Sequence, residues 1–588
     1  MAHRLRSSRR GLGFMILHPR ILPSRKAVVT ERGMRWLECR MADAPRQRGF
    51  PRSLLVLVVL ATALAAWLRT HGLADQVVLD DEWHAIHELM SSSYRDIFRT
   101  FGLADHSIPL TLFYKAMADT VGLTEGRLRA LQSACGITLV PLCGWLAWRV
   151  TRDAPAASLF AFLVAGAPFL VLWSRFARPY AITLLLSVVC VACVWAWRTQ
   201  RSRRLAWIAV ASGALAAWLH PIAGLYGAIP CLFVFGEDVL AARRNGMARR
   251  WRRSLALGAA MAAAMALLLA APWINDRQSL FGKSGIDHPR WGTLDRLIAI
   301  VWGGVPGFVM AVACVCAAAG VVALWRRDRP LAAYLVALGA LPGTILAIIG
   351  ASYIYAGQNF LRYQLPLLPL LLFFGSVGAT ALIRAIGHEH RQVAAWTGSI
   401  ALSCAYLAAT PAIAQVARLG PWYAHIDYHW DYRYRWIEYL HPDHSYDPPR
   451  FYRKLARLAP GTATIIEAPF EWEAPLEQLA YYATFHRQKE LFGMLHDLCL
   501  QDRPRVGEVA HDARFRFHLF VFLDHPAEVR ATGARYLVLH LAMPHGRPFP
   551  EARRCFARLE ELYGPPMEKD ERVAVFDLRP GDPAPKLQ

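Results

Sequence analysis

Three acidic side chains stand side by side in Asp80-Asp81-Glu82-Trp83-His84, and a second acidic point, Asp105-His106, follows in the same polar stretch. A carboxylate placed there can act as a general base that takes a proton from an incoming hydroxyl. The same residues also suit a solvated turn or the N-cap of a following helix. Farther along, Arg175 and Arg178 lie three apart in Trp173-Ser174-Arg175-Phe176-Ala177-Arg178-Pro179-Tyr180, and Arg362 lies in Asn359-Phe360-Leu361-Arg362-Tyr363-Gln364-Leu365-Pro366. Guanidinium groups bind phosphate oxygens through two parallel hydrogen bonds, although at a lipid interface they also snorkel toward headgroups. His106, Tyr180, His220 and Tyr363 are the further candidates to line a cavity with them. Carboxylates and arginines together suit a lipid-linked phosphosugar: the arginines would offset charge growing on the phosphate as it leaves, and an aspartate would deprotonate the acceptor.

The elements that must position these residues are apolar runs of the length that crosses a hydrocarbon layer, about 20 residues each. Eleven are read, at 54–68, 128–148, 156–172, 180–197, 205–219, 222–235, 255–274, 305–325, 331–351, 365–383 and 393–413. Several are short or broken by proline, which a bundle tolerates where neighbouring helices satisfy the freed backbone groups. With 55% apolar and 19% charged residues in 588, a disordered chain, a coiled coil and a single soluble domain all fit poorly.

The net charge of +22 would suggest nucleic acid, but its distribution excludes that partner. The stretch 1–52 holds thirteen Lys/Arg against Glu31, Glu38 and Asp43, and every second connecting loop is basic, so these segments together carry the whole excess. Because short cytoplasmic loops are enriched in Lys and Arg, the N-terminus and these five loops are expected inside. The alternate loops and the C-terminus are then outside, as an odd number of spans requires. The expected address is an inner or plasma membrane, multi-pass, with the C-terminal region periplasmic or extracellular.

The expected organisation is a basic cytoplasmic tail over 1–52, with Met41 a second candidate start, then a transmembrane module over 53–415 whose first outer loop covers 69–127, then an extracytoplasmic α/β domain over 416–588. In that last part long apolar runs stop. Short strand-like runs at 463–466, 535–540 and 573–578 alternate with helical patterns at 474–485 and 551–563. Ala63-Leu64-Ala65 imitates a signal-peptidase site, but the following segments need this first span as a neighbour. Most of the eleven cysteines lie in spans, where Cys190 and Cys193 are expected to pack. Cys499 and Cys555 are candidates to pair in an oxidising compartment. No residue set identifies a metal or another cofactor, and a divalent cation stays open.

An ordered set of motifs between about 50 and 415 resembles the GT-C superfamily of polytopic glycosyltransferases, in the clan of protein O-mannosyltransferases, lipid A aminoarabinose transferases and Rgt-like galacturonosyltransferases. The motifs are Asp81-Glu82, Asp105-His106-Ser107-Ile108-Pro109-Leu110, Gly122-Leu123-Thr124-Glu125 with Leu128-Arg129-Ala130-Leu131-Gln132-Ser133-Ala134, Pro168-Phe169 through Ala177-Arg178-Pro179-Tyr180, and Arg362-Tyr363 with Leu365-Pro366. The resemblance implies that Asp81 is the catalytic aspartate, with Glu82 and Asp105 shaping the site and Arg175, Arg178 and Arg362 holding the donor phosphate. It also implies a polyprenyl phosphate sugar donor, a lipid, glycan or protein acceptor, and inverting transfer at the outer face. Ser107-Ile108 stands where the family carries a proline after His106, and Arg175-Phe176 replaces its polar-acidic pair. A transporter or flippase of lipid-linked sugars, or an inactive scaffold, is the other reading; the candidate groups lie in loops and no internal repeat stands out, unlike the usual transporter pattern.

Overall fold

Helix α1 (Arg52–Thr70) is the first helix of the described chain and is followed by two helices, α2 (Tyr94–Arg99) and α3 (Ile108–Thr120). The computed structural model describes residues 50–74, 78, 82, 86, 89, 92–103, 106–245, 248–303, 307–387, 390–417, 448–469, 485–495, 512–517, 520–542 and 550–579. Next come α4 (Glu125–Thr151), the bent pair α5 (Ala154–Gly166) and α6 (Pro168–Ser174), α7 (Tyr180–Gln200), α8 (Arg203–Leu219), α9 (Leu225–Asn245) and α10 (Ala248–Phe281). The second half holds α11 (Trp291–Val301), α12 (Gly307–Arg327), α13 (Arg329–Ile349), α14 (Gly357–Tyr363), α15 (Leu367–Ile386) and α16 (Arg391–Ala409).

Each of the eleven apolar runs is helical over most of its length. Among the described residues, eight helices are long and apolar enough to cross a membrane, and a ninth span results if α5 and α6, bent by 55°, count as one. The outer surface of the bundle carries the apolar side chains a lipid-facing wall needs: Leu55, Val56 and Val59 on α1, and Phe308, Val312 and Val315 on α12, are all exposed. On a protein surrounded by water such a patch would be a liability. Helices α12 and α15 cross with their backbones nearly touching. A Cβ on Gly320 would lie 1.9 Å from the Phe374 carbonyl oxygen, and one on Gly378 1.8 Å from that of Cys316. Small residues at such crossings let van der Waals packing replace the hydrophobic drive that lipid removes.

The basic loops between the helices are tied down by ion pairs. Arg201 bonds Asp238 at 2.7 Å, Arg198 bonds Glu237 at 2.5 Å, and Arg384 bonds Asp153, whose other role is to cap the Ala156 amide of α5.

The C-terminal part is an α/β sheet with strand order β3-β2-β1-β4-β6-β5, made of β1 (Thr464–Ala468), β2 (Lys489–Met494), β3 (Phe520–Phe522), β4 (Tyr536–His540), β5 (Glu568–Lys569) and β6 (Val573–Asp577). The first four are parallel and β6 pairs antiparallel with β4 and β5. Helices α17 (Arg450–Leu455) and α18 (Pro550–Tyr563) flank it. The strand runs expected at 463–466, 535–540 and 573–578 correspond to β1, β4 and β6, while most of the helical pattern at 474–485 lies outside the described residues. Cys555 is disulfide-bonded, and Cys499 also lies outside the described residues.

The C-terminal part packs onto the connection between α1 and α4. Leu123 forms a parallel bridge with Phe515: its amide donates to the Arg514 carbonyl at 2.7 Å, and the Arg516 amide donates to its own carbonyl at 2.8 Å. Arg514 reaches Asp119, at the end of α3, at 3.1 Å. One buried core runs through both parts, from Ile97, Ile108 and Leu110 to Phe451, Ile465 and Leu537.

Candidate active site

Glu82 is fully buried, and its carboxylate is gripped by Arg129 of α4 through Nε at 2.8 Å and Nη2 at 2.5 Å. The Ala177 amide, in the turn between α6 and α7, donates to Oε1 of the same carboxylate at 2.7 Å. One side chain therefore joins the segment between α1 and α4, the N-terminal end of α4 and the turn that carries Arg175 and Arg178. A buried ion pair of this kind needs its extra hydrogen bonds, because two charges removed from water are otherwise costly. Arg129 was legible only as part of the Leu128-Arg129 motif, with no role attached.

Arg175 is fully buried and donates Nη1 to the carbonyls of His71 at 2.8 Å and Leu68 at 3.1 Å. These are acceptors at the C-terminal end of α1, where helix carbonyls lack partners within the helix. Arg69, also buried, donates to Ala165 O at 3.0 Å and to Ser174 Oγ at 3.2 Å, so two cations lock the end of α1 against α5 and α6.

Arg178 and Arg362 are arranged differently. They belong to a cluster of rings brought together from three interruptions in the helices: the turn after α6, the break at His220 and Pro221 after α8, and the end of α14. Tyr180 and His220 have ring centroids 5.7 Å apart, His220 and Tyr363 5.5 Å, and Tyr180 and Tyr363 6.5 Å. The Arg362 guanidinium lies 5.1 Å from the Tyr363 ring and 5.8 Å from Tyr180, with Nη2 donating to the Tyr363 hydroxyl at 3.3 Å. Arg178 approaches Tyr180 at 6.0 Å, and Trp173 packs edge-on against the same ring at 4.5 Å. Five of the expected residues, Arg178, Tyr180, His220, Arg362 and Tyr363, thus share one cluster. Cations held against aromatic faces keep fixed directions, which suits a phosphate that must be bound in one orientation.

His106 belongs to the segment just before α3. Its backbone is left-handed, φ 63°, its amide donates to Phe101 O at 2.8 Å, and its ring stacks on Phe101 at 5.9 Å. The segment is held by α10, which kinks at Asp276 (φ −146°, ψ 37°). The Asp276 carboxylate accepts from the Gly102 amide at 2.7 Å and from Ser279 Oγ at 2.6 Å. No sequence signal singled out Asp276. Asp80, Asp81, Trp83, His84 and Asp105 lie outside the described residues.

Residues 107–219 match the family model for dolichyl-phosphate-mannose-protein mannosyltransferases. The matched segment runs from the start of α3 to the end of α8 and includes Arg129, Arg175, Arg178 and Tyr180, so it points the same way as the motif resemblance. No curated protein matches the chain. Among solved structures, ArnT from Cupriavidus metallidurans bound to undecaprenyl phosphate is 12% identical, with a TM-score of 0.42, covering 91% of this chain and 100% of its own. The apo form of ArnT is 14% identical, TM-score 0.45, covering 89% and 97%. The archaeal oligosaccharyltransferase AglB from Archaeoglobus fulgidus, in complex with an inhibitory peptide and a dolichol-phosphate, is 12% identical, TM-score 0.39, covering 90% and 75%.

Proposed function

We propose that the chain is an integral membrane glycosyltransferase that moves a sugar from a polyprenyl-phosphate donor to an acceptor hydroxyl at the outer face of an inner or plasma membrane. The observation that carries this reading is the convergence of Arg178 and Arg362 on the Tyr180, His220 and Tyr363 rings at helix interruptions. The family match over residues 107–219 supports the reaction class. The donor phosphate lies against the two arginines with its isoprenoid tail among the helices. Asp81 takes the proton from the acceptor hydroxyl, whose oxygen attacks the anomeric carbon from the side opposite the phosphate. The bond to phosphate breaks as the new glycosidic bond forms, so the anomeric centre inverts, and the arginines stabilise the charge left on the phosphate. Glu82 holds the loop next to Asp81 in the chain, and Asp105 shapes the same site.

The orientation rests on the basic inner segments and on the contact between Leu123 and Phe515, which puts the C-terminal sheet on the side of the first outer loop. The disulfide at Cys555 suits an oxidising, extracytoplasmic compartment. The acceptor is a lipid, glycan or protein of that compartment. The deciding experiment is Asp81→Asn: sugar transfer from a polyprenyl-phosphate donor in vesicles is expected to vanish while the protein still inserts and unfolds at the wild-type temperature. Wild-type transfer by this variant would overturn the assignment, and lipid flux without transfer in the wild type would make the chain a transporter.

A further inference from the structure

Outside the arginine cluster, the described residues bring Glu467, His486 and Glu490 together inside the C-terminal sheet, all three fully buried. Glu467 comes from β1 and Glu490 from β2; because Glu490 pairs with Ile465 in the parallel register, Glu467 stands two residues further along the same face. His486 precedes β2, and its Nε2 lies 3.0 Å from Glu490 Oε1 and 3.8 Å from Glu467 Oε1. One ligand atom from each residue falls within 4.8 Å of the others. Ligands about 2.0–2.2 Å from a tetrahedral ion are separated from one another by about 3.3–3.6 Å, a spacing these separations bracket. The second carboxylate oxygen of Glu467, Oε2, is buried and makes no hydrogen bond, with His540 Nε2 3.7 Å away. Tyr452 of α17 orients the group from above, its hydroxyl donating to Glu467 Oε1 at 2.7 Å and lying 2.8 Å from His540 Nε2.

We infer that Glu467, His486 and Glu490 form a binding site for a divalent cation of the zinc or manganese type inside the C-terminal sheet, separate from the site of sugar transfer. Two carboxylates in an apolar core are stable when paired or when they coordinate a metal. A mixed set of imidazole and carboxylate ligands selects a first-row divalent ion over the oxygen-only preference of calcium and magnesium. The Gln488 amide donates to His486 Nδ1 at 3.0 Å, which leaves Nε2 as the ring atom facing the carboxylates. Ligation through Nε2 puts the ring proton on Nδ1 and takes from the Gln488 amide its acceptor, one hydrogen bond given up against two carboxylates brought onto a cation. The ion would join β1, β2 and the turn before β2, so its role is to hold the sheet that packs on the first outer loop.

The test uses the full-length chain, purified in detergent without an oligohistidine tag or chelator. Metal analysis of the wild type is expected to find about one equivalent of zinc or manganese per chain, and Glu490→Gln and His486→Gln to lose it. In the wild type, chelator is expected to lower Tm by several degrees, and Zn(II) or Mn(II) added alone to restore it. This wild-type titration can overturn the inference even where the variants fail to fold. A wild-type chain with less than about a tenth of an equivalent and a Tm indifferent to chelator and to both ions would overturn the inference, as would full metal content in both variants. Neither readout depends on sugar transfer.

Discussion

Glu82 and Arg129 make the strongest single-residue argument in the molecule, because both charges are fully buried and each completes the other. Glu82→Gln keeps the shape and removes the charge, leaving the Arg129 guanidinium buried without its counter-ion; stability is expected to fall by about 3–5 kcal/mol. Thermal unfolding in detergent reads this directly, and an unchanged Tm would show that the pair contributes little. The arginines separate by the same logic. Arg362 lies against Tyr180 and Tyr363, so Arg362→Ala is expected to lower kcat/KM for the donor by about 10²-fold with Tm nearly unchanged. Arg175 donates Nη1 to the α1 carbonyls, so Arg175→Ala is expected to lower Tm. Donor kinetics measured beside melting curves for the two variants check both outcomes.

At the scale of elements, the site depends on where helices stop. Pro179, His220-Pro221 and Gln364-Leu365-Pro366 interrupt α-helical hydrogen bonding at three places, and the side chains next to the breaks turn toward one another. Proline in a helix interior removes a donor and clashes with the preceding turn, so these breaks were readable as composition. The crossing of α12 and α15 shows the opposite constraint. Gly320→Val would drive a side chain into the Phe374 carbonyl, where even a Cβ has 1.9 Å. Separation of the two helices is expected to cost several kcal/mol, seen as a lower Tm and poor yield, whereas Gly236→Ala, with open space around its Cβ position, should leave both unchanged. Three strands, β2, β3 and β5, escaped the sequence reading for a related reason. Lys489–Met494 has no β-branched residue and is made a strand by its parallel neighbours, whereas Phe520–Phe522 has strand-favouring residues but only three of them, and Glu568–Lys569 has only two.

For the molecule as a whole, the question is how the C-terminal sheet and the first outer loop act together. Asp119 is one link: burial acts to raise its carboxyl, but hydrogen bonds from Tyr94 and Arg514 outweigh it and hold the carboxyl below its ordinary value. A depressed carboxyl in the folded state means that the unfolded chain binds more protons on acidification. The contribution is therefore present above the ordinary carboxylate range and is lost as pH falls through the lowered folded value. Protection of the Leu123 and Arg516 amides, which make the bridge, measured as exchange relative to the intrinsic rate at each pH, is expected to fall over that acid window in the wild type. In Asp119→Asn protection should be low already at neutral pH and not fall further over the acid window. An identical profile in both proteins would mean that the backbone bridge and the shared core hold the sheet without this ion pair.

The sequence by itself determined a multi-pass helical chain, the helical runs and the residue types able to handle a phosphate, because apolar length is a local property that lipid reads directly. It also marked Arg178, Tyr180, His220, Arg362 and Tyr363 as candidates. Only the tertiary structure decided which of them meet, since their separations in the chain run to more than a hundred residues. The tertiary structure likewise gave Glu82 to Arg129, turned Arg175 toward backbone carbonyls, and brought Glu467, His486 and Glu490 onto one face of a sheet. Burial is the physical reason. A charge in a low-dielectric interior needs a specific partner, and no local pattern names a partner contributed by another element.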